Sequence, residues 1–328
     1  MTRVMYDELF VLLILKFSES WYNMTYIDLL ISGILAFIML SVGLSLTWRN
    51  FVVVFARPKG YLGGLALQLL VLPTVAYIIA TLARLPVELK VGIMILSSCP
   101  GGTTSNFITY LLNANTALAI LLTVTNSFIA LISVPLIVNF GLSQFMGEHT
   151  DLALPFGDTV RHIFGIILAP VFIGLLIRRF YPNFSNRVRM PLKWMTVILL
   201  GVVFFIKLFA GEAQGGTGIS ANEILQILPY SLLGNALNLT AGFCMAYFLG
   251  LPANDRLTLG VEVGIQNTSL AFLIGSTLLN NEEMIKPALV YAMFTFFTAV
   301  IYGMIVKPSE WRLLRNRLGR MVAKGGVH

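Results

Sequence analysis

Runs of roughly twenty apolar residues recur along this chain, at about 27–47, 60–82, 88–112, 115–140, 159–179, 192–211, 225–250, 257–280 and 284–306. Each is long enough to cross the hydrocarbon core of a bilayer as a helix. Nine such runs leave little sequence for anything else. Hydrophobic residues make up 57% of the chain and charged residues 11%, too little polar surface for a soluble domain of 328 residues. The expected class is an all-α integral membrane protein. A further apolar run at 5–17 is too short to cross alone and is expected to form a short, tilted or interfacial N-terminal helix. Asp7 and Glu8 stand ahead of its continuous apolar stretch and it has no small-residue cleavage site, so it does not read as a removable signal peptide.

The net charge of +7 does not point to nucleic acid, because the basic residues cluster beside the apolar runs and in the tail. With the tail placed in the cytoplasm, Arg49, Arg57, Lys59, Arg178, Arg179, Arg187, Arg189, Lys193, Arg256 and the basic residues of 307–328 fall on the inner side. Glu148, Asp151, Asp158, Glu212, Glu223, Glu282 and Glu283 fall on the outer side, as the positive-inside pattern leads one to expect. The tail reads as an anchor on anionic lipid, and the cell's inner (plasma) membrane is the expected location. Cys99 and Cys244 each lie inside an apolar run and form no disulfide or metal motif, and the three histidines are scattered.

Counting the N-terminal helix gives ten elements, which divide into two sets of five. Elements four (88–112) and nine (257–280) then occupy equivalent positions and cross in opposite directions. Both are interrupted. "SSCPGGTTSN" has no large apolar residue, and its Pro100, Gly101 and Gly102 favour an unwound backbone; "EVGIQNTS" is polar around Gly264. Paired interruptions in the two halves point to an inverted-repeat (5+5) transporter with its binding site at the breaks.

Glu262 is the one acidic residue of fifteen that falls well inside a span. Burial there costs about 2.5–3.5 kcal/mol on insertion scales, so a compensating partner is needed. Neither break contains Lys or Arg, which leaves a transported cation, sodium or a proton, as the simplest partner. Gln266, read as one helical turn beyond Glu262, adds an amide oxygen of the kind hard cations take. Half-helix N-termini followed by Thr103, Thr104, Ser105 and Asn106, and by Asn267, Thr268 and Ser269, favour an anion beside it. Gln68 is a buried amide in need of partners, Thr123, Thr125 and Asn126 suit either a site or interhelical hydrogen bonds, and Pro73 and Pro135 read as kinks.

"CPGGTTSN" at 99–106 together with "EVGIQN" at 262–267 resembles the bile acid:sodium symporter family, in its bacterial members, over about residues 27–300. The resemblance implies a core domain, here about 60–140 and 223–306, holding two crossed broken helices, and a panel domain, about 1–47 and 159–211, that moves against it. It implies two sodium ions carried with an organic anion, and no organic cofactor. The residues matching one sodium site are Ser105, Asn106, Thr123 and Glu262; those matching the other are Gln68, Glu262 and Gln266 with backbone oxygens of Val263 and Ile265. Ala119 stands where members often carry a serine ligand. Thr103, Thr104, Asn267 and Thr268 match the substrate crossover, while "YAMFTFF" at 291–297 offers no His or Asn and points toward an amphipathic anion. The expected activity is transport rather than catalysis. The competing readings are a sensor or structural homologue that no longer transports, and a carrier for arsenite or another inorganic oxyanion, for which Cys99 would be the candidate ligand.

Overall fold

The structure, a computed structural model, describes residues 26–45, 58–147, 154–209, 211 and 216–307. The N-terminal run at 5–17 and the tail beyond Lys307 lie outside the described residues. Every apolar run from 27 onward is largely helical where it is described, and the runs at 88–112 and 257–280 are interrupted at 99–102 and 265–267. The helices are α1 (Tyr26–Ser45), α2 (Pro58–Leu82), α3 (Val87–Ser98), α4 (Thr103–Leu111), α5 (Thr116–Met146), α6 (Phe156–Phe180), α7 (Pro182–Phe209), α8 (Ala221–Phe248), α9 (Ala253–Gly264), α10 (Thr268–Leu278) and α11 (Lys286–Val306). Four helical stretches, Pro58–Leu82, Thr116–Met146, Phe156–Phe180 and Glu282–Val306, are long and apolar enough to cross a membrane. Large side chains such as Leu62, Leu70, Ile132 and Ile198 project outward, as lipid-facing residues do. This is a multi-pass membrane protein.

Two long helices change pitch at a proline. In α2 a π turn over Leu67–Val71 precedes Pro73, and in α6 a π turn over Phe164–Leu168 precedes Pro170. Proline has no N–H to give and its ring crowds the carbonyl four residues back, and a wider turn relieves both. The first of these turns carries Gln68.

Backbones approach closely where glycine replaces a side chain. A Cβ on Gly174 of α6 would lie 2.5 Å from Leu40 O, and one on Gly242 of α8 would lie 2.6 Å from Gly260 Cα. α1, α6 and α7 therefore pack together, as do α8 and α9. The turn between α4 and α5 is pinned to the start of α9: Asn115 Nδ2 donates to Asp255 Oδ1 at 2.8 Å, and Asn115 N–H donates to Thr258 Oγ1 at 2.9 Å. That clamp holds α4 and α9 on either side of the two breaks.

Candidate cation and anion site

The two interrupted helices meet at their interruptions. Gly101 and Gln266 form an isolated antiparallel bridge, and Asn267 N–H donates to Pro100 O at 2.9 Å. Each break thus satisfies part of the other's freed backbone, which a lone unwound segment inside a membrane could not do.

Glu262, in the last turn of α9, is fully buried. Its Oε1 accepts from Thr123 Oγ1 of α5 at 2.6 Å, and Thr123 Oγ1 in turn accepts from Asn106 Nδ2 of α4 at 3.1 Å. Gln68 Nε2 of α2 donates to the Glu262 main-chain carbonyl at 3.2 Å. Side chains of four helices therefore meet around Glu262. Among the described residues no Lys or Arg pairs with it.

What this cluster leaves over is chemically one-sided. Glu262 Oε2, Asn106 Oδ1 and Gln68 Oε1 are buried and have no hydrogen-bond partner among the protein groups. All three are oxygens with lone pairs to offer. Buried acceptors left in this way are costly, and a hard cation satisfies several of them together.

Gly101 makes room for the carboxylate. A Cβ there would collide with Glu262 Oε1, lie 2.7 Å from Glu262 Cδ and 3.2 Å from Ser105 Oγ, whereas a Cβ on Gly102 would meet nothing nearer than 3.6 Å. Ser105 is therefore beside Glu262, with its hydroxyl donating to Gly102 O at 2.7 Å.

Gln266 does not sit one helical turn beyond Glu262, because α9 ends at Gly264. It lies inside the break, and its Nε2 donates to Val263 O at 2.5 Å. The Gly264 carbonyl is taken by two side chains that the motifs did not reveal, Asn235 Nδ2 and Tyr291 OH, both at 2.7 Å. Val263 and Ile265 are buried within this segment.

The residues expected at an anion are placed less fully. Asn267 caps α10, its side-chain oxygen accepting from Leu270 N–H at 3.1 Å. Thr104 and Thr268 are half-buried in the first turns of α4 and α10. Thr103 opens α4, and its side chain lies outside the described residues. Thr125 Oγ1 accepts from Tyr61 OH at 3.1 Å and serves as interhelical glue. Asn126 is buried with both amide atoms unpartnered. The Cys99 thiol, just past the end of α3, donates back to Ile95 O of that helix, so the oxyanion reading gains nothing from it.

Residues 33–214, more than half of the chain, match the model of the Sodium Bile acid symporter family. The chain belongs to this symporter family. The family is one of sodium-coupled transporters, not enzymes. Relatives include the probable sodium/metabolite cotransporter BASS1, chloroplastic, of Oryza sativa subsp. japonica, 27% identical over 85% of this chain and 65% of its own length. The uncharacterized sodium-dependent transporter YocS of Bacillus subtilis is 26% identical over 75% of this chain and 73% of its own. Human sodium/bile acid cotransporter 4 is 25% identical over 89% of this chain and 66% of its own. The chain thus spans somewhat less than two thirds of the rice and human relatives. An alignment over 85% of this symporter-family chain necessarily reaches both interrupted helices.

Proposed function

We propose that this protein is a sodium-coupled symporter that brings an organic anion into the cell by alternating access. The observation that carries the reading is the buried Glu262 carboxylate with the unpartnered oxygens of Glu262, Asn106 and Gln68 around it. Two sodium ions are its cargo, one held by Ser105, Asn106, Thr123 and Glu262, the other by Gln68, Glu262 and Gln266 with the carbonyls of Val263 and Ile265. Sodium neutralises the carboxylate and leaves the crossover ready for an anion, which meets the first turns of α4 and α10 at Thr103, Thr104, Asn267 and Thr268. Asn126, about one turn beyond Thr123 on α5, offers a further buried amide donor.

The same reading takes the chain as a ten-element (5+5) inverted repeat. In it α1, α6 and α7, with the N-terminal helix, form the panel, and the remaining helices form the core that carries the site. The panel rocks against the core and exposes the site to each side in turn. The protein sits in the cell membrane with its C-terminus in the cytoplasm, where the basic tail meets anionic lipid. The anion is bile-acid-like, a steroid conjugate or a small carboxylate, with the aromatic residues of 291–297 favouring an amphipathic one.

The test is thermal unfolding of the purified protein in sodium and in potassium, for the parent and for Glu262→Gln, with bile salts, steroid sulfates and 2-oxo acids added in turn. Sodium should stabilise the parent and not the variant, and the true anion should stabilise further only in sodium. A Glu262→Gln protein that answers sodium as the parent does would sink the assignment.

A further inference from the structure

α9 ends at Gly264, and the carbonyls of its last turn have no partner within the helix. Inside a membrane each needs one from elsewhere. Gln68 Nε2 takes the Glu262 carbonyl at 3.2 Å, and Gln266 Nε2 takes that of Val263 at 2.5 Å. Gly264 is provided for differently: its carbonyl accepts two bonds, from Asn235 Nδ2 of α8 and from Tyr291 OH of α11, both at 2.7 Å. A carbonyl oxygen has two lone pairs, so this one has none left for an ion.

The two donors also hold each other. Asn235 Nδ2 donates to Tyr291 OH at 3.1 Å, so both of its protons are used, and the phenol that gives its proton to Gly264 O receives one in return. Both side chains are buried. Glycine at 264 permits the approach, since a Cβ there would collide with Leu239 Cδ2, one turn beyond Asn235 on the same face of α8. Carbonyls in a helix point one way along its axis. Ile265, at φ −126° and ψ 111°, is extended, so its carbonyl departs from that direction, and the departure begins at the peptide plane it shares with Gly264. Two bonds to one oxygen, from two helices, fix that plane.

We infer that Asn235 and Tyr291 are positioning residues of the sodium cage formed by Gln68, Glu262 and Gln266 with the carbonyls of Val263 and Ile265. They touch no ion. By occupying the Gly264 carbonyl they keep it from competing for the ion, and they set the plane from which the carbonyls on either side are presented. The inference rests on the sodium reading above.

Tyr291→Phe removes one donor, and Asn235→Leu removes the other while keeping the branching of the side chain. Thermal unfolding in detergent is followed across a sodium chloride series, with potassium chloride holding the ionic strength constant. It yields the half-saturating sodium concentration and the melting temperature without sodium. Each single variant leaves one donor on the carbonyl, and its half-saturating concentration should rise by about fivefold, the equivalent of one hydrogen bond. The double variant frees the carbonyl and should exceed the product of the two single effects. Asn139→Leu supplies the structural comparison. Asn139 brackets the Leu154 main chain through both amide atoms, at 3.1 and 2.8 Å, about 24 Å along α5 from Thr123. Its loss should lower melting in both salts alike and leave the sodium midpoint unmoved. The same pattern in the Asn235 and Tyr291 variants would overturn the positioning role while leaving the sodium site standing. A parent whose unfolding does not respond to sodium would overturn the sodium reading, and the inference with it. If the double variant does not fold, Tyr291→Phe decides the matter by the same midpoint.

Discussion

Lys207 Nζ lies 2.9 and 3.1 Å from the two carboxylate oxygens of Glu282, and so ties α7 to the turn that opens α11. Ser276 joins the pair, accepting from Lys207 at 3.1 Å and donating to Glu282 Oε1 at 2.5 Å. The two charges are not equivalent: the Lys207 side chain is 1% exposed and that of Glu282 is 33% exposed. Removing the carboxylate strands an ammonium in the interior, whereas removing the ammonium leaves a carboxylate that water can reach. Glu282→Gln should therefore destabilise by about 3 kcal/mol or more, and Lys207→Met by clearly less. The double variant should recover part of the loss, because neither charge is then buried alone. Thermal unfolding of the four proteins in detergent checks the order, and a Lys207→Met protein weaker than Glu282→Gln would refute it.

The two glycines of the first break should behave differently on substitution. Gly101→Ala forces the Glu262 carboxylate off Thr123, since the new Cβ occupies its place, while the space beside Gly102 admits a methyl group. Sodium-dependent stabilisation should be largely lost in Gly101→Ala and kept in Gly102→Ala. Equal behaviour of the two in a sodium titration would show that the carboxylate can relocate within its pocket.

How much of this could be read from the residues varies with how local each cause is. Glu262 stood out because a lone acid inside an apolar run has no other explanation, and the breaks stood out because Pro100, Gly101 and Gly102 weaken a helix by themselves. The role of Gly101 was legible only in part: it serves an unwound backbone, but the tighter constraint is the carboxylate brought to it by a helix 161 residues away. Gln266 was placed on a continuing helix because its spacing from Glu262 suits one turn, yet the chain is pulled out of the helix by pairing with Gly101. Lys207 sits within "FFIKLFAG", and a lysine near the end of a span reads as an interfacial anchor until its partner 75 residues on is seen. Asn235 and Tyr291 gave no signal, because what they bind is a main-chain carbonyl that any residue at 264 would supply.

Glu223 predicts a pH effect confined to acid. It caps α8 in a capping box with Ser220, ahead of the apolar span. Partial burial acts to raise its pKa, but the hydrogen bond from Lys286, those from the Ser220 N–H and hydroxyl, and the Lys286 charge outweigh it and bring the pKa down to about 2. A depressed pKa means that the ionised form favours the folded state, so this contribution is complete above the ordinary value of 4.5 and is lost as pH falls toward 2. The stability gap between parent and Glu223→Gln should accordingly be constant from neutral pH down to about 5 and shrink below it. A gap that widens on acidification would contradict the pairing.

Ala119 sets the last expectation, which concerns how many ions accompany the anion. It is fully buried on α5, one turn before Thr123, where a hydroxyl would face the same side of the helix. Ala119→Ser should raise sodium affinity by adding an oxygen to the site that Thr123, Asn106 and Glu262 share. Charge movement reports whether that site is filled in the unaltered protein. Two sodium ions entering with a monovalent anion carry one net charge, worth about 2.3 kcal/mol per 100 mV, so uptake into proteoliposomes should accelerate with an inside-negative potential. With one sodium per monovalent anion the cycle is electroneutral and uptake is indifferent to potential. Potential-independent uptake by the parent, becoming potential-dependent in Ala119→Ser, would place the missing oxygen at residue 119 as the cause. Potential-independent uptake in both would refute two-ion coupling for a monovalent substrate.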